Sequence, residues 1–76
     1  MERREMTEEE LFESNPDVVS GALVFRGTRI PVEAFFVNLA AGLSLDEVLA
    51  NYPGIGRGRA EAAILLAAMN FVRAAA

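Results

Sequence analysis

The 76-residue chain contains no cysteine, no histidine and no tryptophan. Without cysteine there can be neither a disulfide framework nor a cysteine-ligated zinc site. Without histidine the chain lacks the commonest metal ligand and the commonest general acid or base of enzymes. The sequence therefore predicts a non-enzymatic protein with no catalytic residues, no metal and no cofactor.

Long apolar runs are also missing. The longest one, Ala62 to Met69, is far shorter than the roughly 20 residues that a membrane-spanning helix needs. The first ten residues, MERREMTEEE, are charged and have no apolar segment of the kind found in signal peptides. We therefore expect a cytoplasmic protein that does not enter a membrane.

The charges are distributed unevenly along the chain. Residues 1–14 hold six Glu against two Arg, whereas residues 15–76 hold five acidic residues against five Arg. We expect residues 1–10 to form a flexible acidic leader and residues 11–76 to form one domain. The alternative for the leader is a short helical turn, because Thr7 and Glu10 have the spacing of a capping box.

The stretch Val24 to Leu39 predicts a strand that turns sharply into a helix. Val24 and Phe25 favour β structure, and Gly27 tolerates a positive φ. Pro31 presets φ for a first helical turn. The apolar residues that follow have the spacing of a helix with one buried stripe: Val32, Phe35, Phe36, Leu39 and Ala40.

The segment Leu11 to Arg26 is predicted to be a β-hairpin, with a first strand at Leu11 to Ser14 and a second at Leu23 to Arg26. A two-stranded ribbon is marginal in water and must pack on something. We expect Phe25 and Ile30 to direct the hairpin toward the helices.

A second helix should begin directly after the first. Gly42 is a natural helix stop, and Ser44 with Glu47 has capping-box spacing. After this second helix, the glycine-rich PGIGRGR predicts a flexible connector. Alternatively, Arg57 and Arg59 contact an anion at the N-terminus of the next helix.

The third helix, Arg59 to Ala76, is apolar on nearly every side. One monomer of this size cannot cover so much apolar surface, which predicts a homodimer. The first apolar stripe contains Ala60, Ile64, Ala67 and Phe71, and the second, which we expect another chain to cover, contains Leu65, Met69 and Val72.

Three segments resemble a known family. NPDVVSG, LVFRGTRIPVEAF and AAGLSLDEVLANYPGI are similar to the recurring pattern of the DUF433 family (domain of unknown function 433), over a match running from about Leu11 to the end of the chain. The resemblance implies a small helix-turn-helix-like prokaryotic protein that acts as the antitoxin of a toxin-antitoxin pair and binds a PIN-like nuclease. The chain departs from the pattern at Ala22-Leu23, where the family usually has proline, and in the glycine-rich segment.

Four arginines are the candidates for nucleic-acid binding. They lie in two windows without carboxylates, Val18 to Val32 and Val48 to Ala60, and in a helix-turn-helix the third helix would read DNA with its N-terminal residues. However, a helix this apolar is a poor reader of the major groove. Arginines near a tight turn also commonly bond carbonyl groups or pair with a carboxylate such as Glu33 or Asp17. The four candidates are Arg26, Arg29, Arg57 and Arg59.

Together these observations predict an α+β fold that is mostly α, with a short N-terminal β-hairpin followed by a helix-turn-helix-like bundle of three helices. The predicted function is that of a non-enzymatic, homodimeric antitoxin that sequesters a PIN-like nuclease and binds its operator DNA. Two alternatives stay open, a structural homo-oligomerisation domain without DNA binding and a module that interacts with RNA.

Overall fold

The computed structural model describes residues 7–14, 16–17 and 21–75, with side chains through residue 72. Along the chain, a four-residue helix α1 (Glu8–Leu11) leads into strand β1 (Phe12–Ser14), which is followed by strand β2 (Leu23–Phe25). Three longer helices follow: α2 (Val32–Ala40), α3 (Leu45–Asn51) and α4 (Arg57–Ala75). The predicted architecture, a short hairpin followed by three helices, is confirmed.

The hairpin is antiparallel and pairs Phe12 with Phe25. An isolated bridge between Val24 and Pro31 holds the end of the turn against β2. Phe25 is fully buried and Ile30 packs against the core from one side, as expected. The first strand is shorter than predicted, because Leu11 belongs to α1.

Helix α1 corrects the expectation of a solvated tail for part of the acidic leader. The Thr7 hydroxyl accepts a hydrogen bond from the Glu10 amide, and the Glu10 carboxylate accepts one from the Thr7 amide. This capping box was the alternative interpretation of the sequence. Leu11, the last residue of α1, is fully buried. Residues 1–6 lie outside the described part of the chain.

An aromatic chain forms the centre of the core. Phe25 lies edge-to-face against Phe12 and Phe35, with ring centroids 5.4 and 5.5 Å apart, and Phe35 makes a similar contact with Phe36 at 5.0 Å. Edge-to-face pairs of this kind stabilise a protein beyond their buried area. Within the described residues, no polar side chain is buried. The hairpin and α2 therefore share one apolar core.

The second and third long helices begin as the sequence indicates, with one shift in position. The Ser44–Glu47 capping box is complete, with bonds of 2.8 and 3.1 Å. Gly42, two residues after the last residue of α2, has a φ of 106°. Helix α4 begins at Arg57 rather than Arg59, so the glycine-rich connector is shorter than expected.

The buried side of α4 differs from the predicted one. Ala60 and Ala63 are buried, and Leu66 packs against the core from the same side. Ile64 and Phe71, which the sequence analysis grouped with Ala60, are exposed. Helix α1 packs against α4, and Ala60 and Ala63 belong to the same buried cluster as Phe12 and Phe25 of the hairpin. The larger residues of α4 therefore face outward.

Candidate interaction surfaces

The RGTRIP segment is built as a tight turn that joins β2 to α2. Gly27 has a φ of 79°, a conformation that glycine adopts without strain. The Thr28 hydroxyl donates to the carbonyl of Phe25 at 2.7 Å and accepts from the Ile30 amide at 3.0 Å. Gly54 is close enough to this turn that an added Cβ would lie 3.5 Å from Ile30 Cδ1. The most distinctive sequence motif of the chain therefore fixes local structure.

Arg26 bonds mainly to backbone carbonyl groups. Its Nε and Nη2 donate to the Glu9 carbonyl at 2.9 and 2.6 Å, and Nη2 also donates to the Phe12 carbonyl at 3.1 Å. Its ion pair with Glu13, at 3.4 Å, is a partly exposed pair of the kind that contributes little to stability. The guanidinium caps the end of α1, which is the structural role that was the alternative to nucleic-acid binding.

Arg59 also bonds to backbone carbonyl groups, including one in the RGTRIP turn. It donates to the carbonyls of Ile55 at 2.9 Å, Gly54 at 2.7 Å and Arg26 at 2.6 Å. All three guanidinium nitrogens are therefore engaged in hydrogen bonds. Arg26 and Arg59 together connect α1, the RGTRIP turn and the start of α4, and a phosphate would have to compete with these bonds for either side chain.

The other two candidate arginines make no hydrogen bond to a backbone carbonyl within the described part of the chain. Arg57 forms an ion pair with Asp46, which joins the first turns of α4 and α3. Both side chains are more than half exposed, so the pair is readily exchanged for another partner. Arg29 is exposed and makes no hydrogen bond or ion pair within the described part of the chain. Of the four predicted arginines, Arg29 and Arg57 are therefore the ones that can bind an external anion without giving up bonds to backbone carbonyls.

The side of α4 that faces away from the core is a continuous apolar surface, here called the outer face. At 3.6 residues per turn, Ala68 lies at its centre, and larger side chains lie on either side. Met69 lies at one edge of the outer face. Glu61, one turn before Leu65, and Arg57, one turn earlier still, are its charged members within residues 57–72. The large exposed members are Ile64, Leu65, Met69, Phe71 and Val72.

A groove of about 190 Å³ separates the hairpin from the core side of α4. Most of its lining is apolar, and Glu8 and Asn70 are the charged and polar members. Leu23 is half exposed there. The sequence carried no signal for this groove, because it forms where segments far apart in the chain meet. Its apolar lining consists of Phe12, Leu23, Phe36, Ala63, Leu66 and Ala67.

Two members of the outer face, Ile64 and Phe71, were not predicted from the sequence to lie there. Leu65, Met69 and Val72 were predicted to face another chain, and all three are exposed in the single chain. The only sequence signal for which side of α4 is buried was the alanine content of the side opposite the outer face, since small residues allow other elements to pack closely. Among the described helices, none is both long enough and apolar enough to cross a lipid bilayer.

Comparison with known proteins agrees with the resemblance in the sequence. The sequence model of the family described as "Protein of unknown function (DUF433)" matches residues 12–67. A relative from Sinorhizobium fredii, the uncharacterized protein y4eO, is 34% identical over 64 residues, which are 84% of this chain and 29% of the relative. The chain thus spans under a third of that relative's length. No solved structure matches. The chain belongs to the DUF433 family.

Proposed function

We propose that this protein is a non-enzymatic binding module that acts by protein association through the outer face of α4. The observation that supports this proposal is the concentration of large apolar side chains on one side of a single helix. Covering such side chains is favourable by about 1.5–3 kcal/mol each. In a small domain, a patch of this kind marks an interaction site.

The proposed assembly is a homodimer, with Leu65, Met69 and Val72 in the contact. The alternative is a purely structural oligomerisation domain, which would use the same face and bind nothing else. The groove favours a dimer that binds a further partner over a purely structural one. It lies on the other side of α4, so a dimer formed through the outer face leaves it open. A second protein can therefore bind at the groove without displacing the first contact.

Family resemblance supplies the identity of the proposed second protein, a PIN-like nuclease that the dimer holds inactive. The apolar floor of the groove would accept aliphatic or aromatic side chains of the nuclease. The acidic first turn of α1, Glu8–Glu10, would favour a basic surface beside them. A complex of this kind belongs in the cytoplasm, where the RNA substrates of such a nuclease lie.

Operator DNA is a second candidate ligand, supported by the accessibility of Arg29. In a dimer two copies of Arg29 and Arg57 would be available to phosphates. Arg26 and Arg59 already bond backbone carbonyls, so two of the four arginines predicted to bind nucleic acid remain for contacts with phosphates. The apolar outer face of α4 also leaves little polar surface for reading bases.

Co-expression with a PIN-like nuclease encoded beside this protein tests the antitoxin proposal. We expect a stable complex in which RNA cleavage is blocked. Leu23→Glu, in the groove, should restore cleavage without changing the oligomeric state, because Leu23 is half exposed and lies away from the outer face. Cleavage at full rate in the presence of excess wild-type protein would refute the antitoxin function.

A further inference from the structure

The outer face of α4 has a symmetry that indicates what covers it. Ala68 is flanked by Leu65 and Val72 on one side and by Ile64 and Phe71 on the other, and each flanking pair is spaced by seven residues, or about two helical turns. When the helix is turned end to end about Ala68, Leu65 takes the place of Val72 and Ile64 takes the place of Phe71. The pattern of large apolar residues is therefore the same in both directions. We infer that this face binds the same face of a second copy, antiparallel and centred on Ala68. This inference rests on the proposed dimer and specifies its geometry.

A two-fold interface requires each residue to meet a complementary residue of the other copy. In the antiparallel arrangement, Leu65 meets Val72 of the second copy, and Ile64 meets Phe71. All four contacts across the pair are apolar, and each joins a β-branched side chain to a larger one. Ala68 faces Ala68 at the crossing point, where a small side chain lets the helices approach to about 8 Å.

Repulsion between the Glu61 carboxylates favours the antiparallel orientation over the parallel one. Glu61 precedes Ala68 by seven residues and lies on the same face. A parallel pair would bring the two Glu61 carboxylates together. In the antiparallel pair they lie about 20 Å apart along the helix axis, a distance at which salt screens their repulsion. Ala75 of the second copy then lies opposite Glu61.

The area of the face agrees with a specific but modest dimer. The exposed fractions of Ile64, Leu65, Phe71 and Val72 are 37%, 57%, 77% and 70%. Covering them would remove on the order of 500 Å² per chain and roughly 1,000 Å² per pair, the lower limit for a specific interface. We therefore expect dimerisation at micromolar rather than nanomolar concentration. Met69, at the edge of the face, contributes less than Leu65.

Disulfide trapping tests the geometry without interference, because the chain has no cysteine of its own. A disulfide forms only when the two Cα atoms lie within about 7 Å. Under mild oxidation Ala68→Cys should cross-link most of the protein as a dimer. An equimolar mixture of Leu65→Cys and Val72→Cys should cross-link at least fivefold more than either variant alone. Ala40→Cys, exposed at the end of α2, is the control for random collision.

Three outcomes would overturn the inference. Leu65→Cys and Val72→Cys could each cross-link with themselves as efficiently as in the mixture, which would show a parallel pair. Ala68→Cys could sediment as a dimer and yet cross-link no more than Ala40→Cys. Finally, Ala68→Cys could fail to cross-link while the wild-type protein still inhibits the nuclease. In that last case the proposed function stands and the face belongs to another partner.

Discussion

Arg59 donates a hydrogen bond from Nη1 to the carbonyl oxygen of Arg26 over 2.6 Å. These residues are 33 positions apart, and the bond joins the first turn of α4 to the turn between β2 and α2. Because Arg26 in turn bonds the Glu9 carbonyl, the two arginines connect the N-terminal helix to the C-terminal helix. Two of the four residues that the sequence suggested for nucleic-acid binding therefore stabilise the fold.

Replacing Arg59 by alanine should lower the free energy of unfolding by about 2 kcal/mol, because three carbonyl acceptors lose a charged donor. Arg59→Lys should restore only part of this loss, since an ammonium group cannot reproduce the forked geometry of the guanidinium. Urea unfolding at 25 °C gives both values. The control Arg29→Ala should change the free energy by under about 0.5 kcal/mol. Equal effects of Arg29→Ala and Arg59→Ala would contradict the structural role of Arg59.

Ser44→Ala should destabilise the protein by about 1 kcal/mol, since the hydroxyl that caps α3 is lost. For a domain of this size the melting temperature should fall by about 4–8 °C, which calorimetry resolves. Glu47→Gln keeps an oxygen that can accept from the Ser44 amide and should have a smaller effect. An unchanged melting temperature in Ser44→Ala would mean that the cap contributes nothing.

Replacing glycine by alanine should change the stability of the protein in opposite directions at Gly27 and at Gly58. Gly27 has a positive φ, so Gly27→Ala should destabilise the protein by roughly 1–2 kcal/mol, although no atom beyond its neighbours in the chain lies within 4 Å of the added methyl group. Gly58 lies in the first turns of α4 with open space around it and no positive φ. Gly58→Ala should therefore stabilise the protein by about 0.4–1 kcal/mol. Thermal unfolding of both variants is the measurement, and effects of the same sign would refute the description of the turn.

Most of the fold is predictable from the sequence because its signals are local. The Ser44 cap, the stop at Gly42 and the apolar spacing of α2 depend on residues within a few positions of one another. The long-range features are not predictable in this way. Arg26 and Arg59 reach carbonyls 17 and 33 residues away, and no local pattern separates such bonds from an exposed basic patch.

The orientation of α4 shows a second limit of the sequence. Its apolar residues surround the helix, so periodicity cannot choose the face that packs against the core. The choice depends on the buried cluster that Ala60 and Ala63 form with residues of α1 and the hairpin, such as Leu11 and Phe25. Ile64 and Phe71 are outward-facing for that reason, and the apolar surface available to a partner is larger than the sequence predicted.

The proposed DNA binding should depend on Arg29 and Arg57. Affinity for the protein's own promoter DNA should fall with salt on a log-log plot with a slope of about −0.9 per phosphate contacted. The double variant Arg29→Ala/Arg57→Ala should flatten this slope. Arg73→Ala, near the opposite end of α4, should not. Deleting residues 1–6 removes two Glu and two Arg and should leave the slope unchanged.

If the protein does not shift the gel mobility of promoter DNA at low salt, with or without the nuclease, the DNA-binding proposal is refuted. Such a result would leave protein association as the only proposed activity. A shift that survives the double variant at full strength would instead assign the contact to residues other than Arg29 and Arg57.

The central claim is that the outer face of α4 is a protein-association surface. Sedimentation velocity tests this claim most directly. The protein concentration should run from about 10 to roughly 300 μM, the range in which a modest interface is expected to assemble. The wild-type protein should shift from monomer to dimer as concentration rises. Leu65→Glu should stay monomeric, because burying the introduced carboxylate is unfavourable. The control Ala40→Glu, which adds the same charge at an exposed position of α2, should dimerise like the wild type. A wild-type protein that is monomeric over the whole range, or a Leu65→Glu variant that dimerises as well as Ala40→Glu, would contradict the claim.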